Sequence, residues 1–152
     1  MHWNRSSEIY EPTWQVEGVV ARAQRPGYPV DRPSPDRIQA WTDAILGMGI
    51  KSVVCIVENH QLAHYNHLNL NGGEGLLGYY RSLGLDVVHV PALDHKSPPL
   101  NNDELDAVWE AFRRLEKPVL IHCNAGRDRT GAALEYILLH LGKDHAELGY
   151  DV

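Results

Sequence analysis

The chain has 152 residues, 43% of them hydrophobic and 22% charged, with 13 glycines and 9 prolines, values that suit one folded domain and exclude collagen, coiled coil and bulk disorder. Fourteen Lys and Arg against 20 Asp and Glu leave a net charge of −6, so broad attraction to DNA or RNA is excluded and any anion site has to be local. No apolar stretch approaches a membrane span, the N-terminus lacks a signal-peptide core, and two cysteines, Cys55 and Cys123, make no disulfide framework, so a reducing, cytoplasmic setting is expected.

Residues 1–15 show no clear period and read as an N-terminal segment of a single domain spanning 1–152. Residues 16–21 read as a short strand. A loop follows, because Pro26, Pro29 and Pro33 prevent a helix, and Ser34 then supplies an N-cap with Pro35 at the first helical position. Ile38, Trp41 and Ile45 recur on one face of that helix, which Gly47 and Gly49 stop. Residues 51–57 form a β-branched, buried strand. His60, His64 and His67 stand at i, i+4 and i+7, a spacing that on a helix would align three imidazoles for a transition metal, although the interleaved asparagines favour a substrate rim over a helix.

Asn71-Gly72-Gly73 reads as a turn into a helix bearing Leu76, Leu77, Tyr80 and Leu83, which Gly84 ends. Residues 86–90 are a strand, and 91–100 a loop with Asp94, His95, Lys96 and paired prolines. Asn101 and Glu104 resemble a capping box ahead of Leu105, Val108, Trp109, Phe112 and Leu115 at helical spacing. The last unit, 119–141, is a strand, a glycine-bearing loop and a helix, with Gly142 as its stop. Strands alternating with amphipathic helices predict an α/β fold with a mainly parallel central sheet flanked by helices, and ligands in such sheets sit beyond the carboxyl ends of strands.

The loop after the last strand lies in that position and concentrates the chemistry. Its backbone N–H groups can curl inward as an anion nest, with the positive end of the following helix behind them. The same field stabilises a thiolate, which makes Cys123 a candidate nucleophile. Arg129, five residues further on, is a fixed cation whose planar fork fits two phosphate oxygens. The run His122-Cys123-Asn124-Ala125-Gly126-Arg127-Asp128-Arg129-Thr130-Gly131 resembles the Cys-x5-Arg-Thr signature of cysteine-based protein phosphatases, and the element order from 16 to 141 is similar to their compact dual-specificity branch.

That resemblance implies a protein tyrosine phosphatase-like fold and a metal-independent, cofactor-free phosphomonoesterase. It implies that Cys123 attacks phosphorus and that Arg129 binds substrate and transition state. Thr130 would support the thiolate, His122 would help set the cysteine's acidity, and residues 124–128 would donate backbone N–H groups to the phosphate. A carboxyl group must also protonate the leaving oxygen. Asp94 in the 91–100 loop is the first choice, and Asp128 inside the phosphate loop is the alternative, as in a bacterial branch active on phosphotyrosine and phosphoinositides. Arg127, with His95 and Lys96, would add rim charge suited to inositol phosphates or phosphoinositides.

The expected substrates are a phosphorylated protein, or else a small phosphorylated metabolite or lipid headgroup. Two other readings stay open: a rhodanese-like sulfurtransferase and a non-catalytic phosphate-binding module. Cys55 reads as a buried strand residue, with a reversible redox partnership with Cys123 as the alternative.

Overall fold

Residues 11–66 and 75–148 are described by the computed structural model, the side chains of 143–148 excepted. Chain entry differs from the sequence expectation. Where one strand was expected at 16–21, the structure has a hairpin of β1 (Thr13–Val16) and β2 (Val20–Ala23), paired antiparallel. Gly18, at φ 76°, makes the reversal available, and the Val19 N–H donates to the Val16 carbonyl at 2.9 Å. Valines on both sides of a single glycine hide such a turn in a hydrophobicity pattern. Part of the N-terminal segment is therefore an edge strand, alternating exposed and half-buried residues.

After the hairpin the chain runs through α1 (Pro35–Gly47), β3 (Ser52–Cys55), α2 (Asn59–Leu62), a 3₁₀ turn (Ala63–Tyr65), α3 (Gly75–Ser82) and β4 (Asp86–His89). It then completes α4 (Asn102–Arg114), β5 (Val119–His122) and α5 (Asp128–Leu148). Ser34 caps α1 by accepting from the Arg37 N–H, with Pro35 next. The capping box on α4 is complete, with Asn101 and Glu104 each accepting the other's backbone N–H. Gly142 does not stop the last helix, which continues to Leu148. A helical glycine costs only about 1 kcal/mol relative to alanine, and one with no left-handed φ does not terminate a helix already held by packing.

The sheet order is β1-β2-β5-β3-β4, with β2, β5, β3 and β4 all parallel. Strands β3 and β5 are buried along their whole length, as strands covered on both faces must be. On one face, Val54, Val119 and Ile121 pack with Val108 and Phe112 of α4 and Leu134 and Ile137 of α5. On the other, Ala21, Val53, Cys55 and Leu120 pack with Ile38, Trp41 and Ile45 of α1 and Leu76 and Tyr80 of α3. The mainly parallel α/β sandwich expected from the sequence is thus the architecture observed. Register aligns the carboxyl ends of three strands: His122 faces Ala23 on one side and Cys55 on the other. The loops that leave those ends meet at Cys123.

Candidate active site

Segment 123–127 links β5 to α5, and Gly126 sets its shape. Its φ is 79°, and a Cβ there would lie 2.7 Å from the Ala23 carbonyl and the Gln24 nitrogen. The loop therefore leans directly on the end of β2, and a glycine is needed for conformation and for space. Arg22 donates to the Gly126 carbonyl at 2.7 Å, and the Gly131 N–H to the Arg127 carbonyl at 2.7 Å opens the hydrogen-bond ladder of α5. Cys123 is only 2% exposed at the end of β5.

Arg129 is 1% exposed and reaches across to the other loops. One terminal nitrogen donates to the Ala92 carbonyl at 2.7 Å. The other donates to Gln61 Oε1 at 3.0 Å and lies 3.0 Å from Asp94 Oδ2. Gln61 also donates to that carboxylate at 3.0 Å, so its carboxamide bridges the arginine and the aspartate. The Asp94 N–H is held by Glu58 Oε2 at 2.8 Å, and its Oδ1 accepts the His95 N–H at 2.9 Å. His95 adopts a φ of 60°, the only left-handed non-glycine residue among those described, which marks a loop bent to aim Asp94 inward. Glu58 and Gln61 carried no motif. Their placement depends on α2 following β3 beside the 91–100 loop, a tertiary fact with no local signal.

Burial pushes the Asp94 carboxyl up, but the Gln61 hydrogen bond, the Arg129 charge and the His95 N–H outweigh it and hold the group below its ordinary value. Asp128 stands elsewhere. It is exposed at the first turn of α5, where its charge complements the helix dipole, and it lines a separate cleft of about 430 Å³ with Gln15, Arg22 and Arg127. The structure thus brings Asp94, and not Asp128, against Arg129. Lys96 departs from the expected rim: it pairs with Glu104 at 2.7 Å and donates to the Pro99 carbonyl, tying the 91–100 loop to the start of α4. His95 is an exposed neighbour of Asp94, at 3.7 Å.

His122 lies beneath the loop, fully buried. The Tyr80 hydroxyl is 2.9 Å from its Nε2, and its Nδ1 is 3.1 Å from the Cys123 carbonyl. Because the carbonyl can only accept, Nδ1 carries the proton and Tyr80 donates to Nε2. Burial above all drives the imidazole down to about 4, opposed by its bond to Cys123 and aided by Arg25 and Arg129, so His122 is neutral near pH 7. Burial also keeps the Tyr80 hydroxyl protonated, well above its usual value. His122 therefore holds the Cys123 carbonyl as a fixed neutral donor. Two polar atoms of the next segment, Arg129 Nε and Thr130 Oγ1, are buried with no hydrogen-bond partner among the described residues. Orphaned donors at a loop of this shape are suited to an anion.

Arg25, also unanticipated, donates from Nε to Asn124 Oδ1 at 2.6 Å. Cys55 and Cys123 side with opposite cores, and burial raises the Cys55 thiol to about 12. The redox-pair alternative therefore lacks a reactive second thiol. His60 and His64 rings lie 5.9 Å apart on α2 and the 3₁₀ turn, while His67 and the 71–73 turn fall outside the described residues. Among the described residues no group of three potential ligands converges for a metal.

A family model described as the tyrosine phosphatase family matches residues 61–151, more than half of the sequence and all of the loop between β5 and α5. The chain belongs to the tyrosine phosphatase family. It is 25% identical over 108 residues to a dual specificity protein phosphatase of variola virus, a match covering 62% of this chain and 63% of the viral protein, and so less than two thirds of that relative's length. A vaccinia virus counterpart is 26% identical over 68 residues, covering 43% of this chain and 40% of its own. Among solved structures, a mutant form of Tk-PTP superimposes with a TM-score of 0.59 at 20% identity, over 87% of this chain and 73% of that one. Kinase associated phosphatase, with its catalytic-site cysteine replaced by serine, gives 0.59 at 19%, over 80% and 65%. These last two likenesses share the fold. No helix among the described residues is long and apolar enough to cross a membrane.

Proposed function

We propose that the chain hydrolyses phosphomonoesters through a cysteinyl-phosphate intermediate, acting on phosphotyrosine or dual-specificity protein substrates. The observation that carries this is the meeting, at the carboxyl end of β5, of Cys123, a buried Arg129 and the unpartnered donors Arg129 Nε and Thr130 Oγ1, with Asp94 held opposite. A phosphate arriving there meets loop N–H groups, a guanidinium fork and the start of α5. The Cys123 thiolate attacks phosphorus and the phosphorus–oxygen ester bond breaks, the departing oxygen taking the proton of Asp94. Asp94 then accepts a proton from water, whose oxygen attacks the phosphorus. The phosphorus–sulfur bond breaks, returning the thiolate and releasing inorganic phosphate.

Asp94 has to be protonated for the first step, whereas in the ligand-free site it is an ionised partner of Arg129. Phosphate binding resolves this conflict. The dianion takes the fork of Arg129 and brings negative charge beside Asp94, and both changes favour the protonated acid. The pairing of Lys96 with Glu104 removes a cation from the rim, which favours a singly phosphorylated side chain over an inositol polyphosphate. Family membership favours phosphoryl over sulfur transfer. Both cysteines are free, which agrees with a reducing, cytoplasmic setting. Replacing Cys123 with serine should abolish turnover of an aryl phosphate while retaining phosphate binding. Turnover at the wild-type rate in C123S refutes the reading.

A further inference from the structure

Arg25 leaves the end of β2 and, at 1% exposed, is one of the largest fully buried side chains. Besides the bond from Nε to Asn124 Oδ1, its Nη1 donates to the Tyr65 hydroxyl at 3.2 Å and its backbone N–H to the Asn124 carbonyl at 2.9 Å. The rings of Tyr28 and Tyr65 flank the guanidinium carbon at 5.5 and 5.9 Å. Every one of these partners is neutral. Arg129 has Asp94 at 3.0 Å, but among the described residues no carboxylate lies within ion-pair distance of Arg25. Aromatic faces and neutral acceptors compensate only part of the desolvation of a buried cation, so a fold that keeps one has a use for its charge.

The use is indicated by what Arg25 holds. Asn124 directly follows Cys123, and Arg25 holds both its side chain and its carbonyl, fixing the peptide between Asn124 and Ala125. The charge also reaches the strand end beneath the cysteine: it disfavours protonation of the buried His122, ahead of Arg129 in size. We propose that Arg25 is a second cation of the phosphate loop, a positioning residue that orients Asn124 and supplies buried positive charge to the bound phosphoryl group. This rests on reading the loop as a phosphate site. The missing counter-charge is then the ligand itself, and the ligand-free protein tolerates an unmatched guanidinium in exchange for affinity.

The test compares wild type, Arg25→Gln and Arg25→Lys for binding of inorganic orthophosphate by calorimetry, for KM and kcat on an aryl phosphate, and for thermal stability. Glutamine keeps a donor but removes the charge, and should weaken phosphate binding and raise KM roughly ten- to hundredfold, with a smaller effect on kcat. Lysine keeps the charge but not the two-donor grip on Asn124 and Tyr65, and should fall between wild type and glutamine, weakening phosphate binding roughly three- to tenfold. The ligand-free glutamine variant should be no less stable than wild type, a sign opposite to that of a purely structural arginine. A folded R25Q that binds phosphate as wild type does overturns the proposal. An R25Q that does not fold, or a folded R25K that does not bind phosphate, overturns it as well. A wild-type chain that neither binds phosphate nor turns over would instead bring down the phosphatase reading.

Discussion

His122 and Asp94 make the site sensitive to acid in two separable windows. The buried imidazole titrates at about 4 against an ordinary 6.5. Between those values the unfolded chain binds a proton that the folded chain refuses, so stability falls as pH drops from 6.5 toward 4, by up to about 3 kcal/mol. Asp94 is held below its ordinary 3.8, so its contribution is present above that value and is lost only as pH falls further. Urea unfolding across the upper window should show the slope in wild type, and His122→Asn should flatten it. An unchanged slope in H122N would place the proton uptake elsewhere. Asp94 also predicts a kinetic asymmetry. Gln61, Arg129 and His95 face its carboxyl in the ligand-free site, so the basic limb of kcat/KM should lie at lower pH than that of kcat, where bound phosphate is expected to take the Arg129 fork from Asp94. After correction for the substrate's own ionisation, Asp94→Asn should erase this basic limb and Asp128→Asn should leave it. The reverse pattern would move the acid to the start of α5.

At the scale of elements, the loop between β5 and α5 works because β2 lies against its glycine. Gly126→Ala forces a side chain into a left-handed φ and 2.7 Å from the Ala23 backbone, so it should cost several kcal/mol of stability, on the order of 2–4, and most of the aryl phosphate turnover. Unfolding curves and steady-state rates would check both; a stable, active G126A would mean that the loop does not rest on β2. The strand, loop and helix around Cys123 were legible in the sequence because a spacing rule and a glycine act locally. The caps at Ser34 and Asn101 were legible for the same reason. The hairpin was not, because Gly18 sits inside a β-branched run and only pairing with β2 shows the reversal. Gly142 misled because a single glycine weakens a helix without ending it.

Across the whole molecule, four parallel strands deliver loops of distant sequence to one end of the sheet: Gln24 and Arg25 from β2, Glu58 and Gln61 after β3, Asp94 after β4, and Cys123 after β5. The pairing of Cys123, the proposed nucleophile, with Arg129 was legible because their spacing is short. The sequence did not show Glu58, Gln61 or Arg25, whose roles arise only when separate loops converge and which resemble ordinary surface residues in isolation. Two cores clamp the sheet from opposite faces and fix where those loops meet. The proposed reaction requires a covalent bond between the Cys123 sulfur, at that end of the sheet, and the substrate's phosphorus. Rapid acid quenching of a reaction with an aryl phosphate, followed by mass spectrometry, should find a phosphate adduct on Cys123 that disappears in C123S and accumulates in Asp94→Asn, where water lacks its base. Sustained turnover with no adduct on Cys123, or an adduct on another residue, would contradict it.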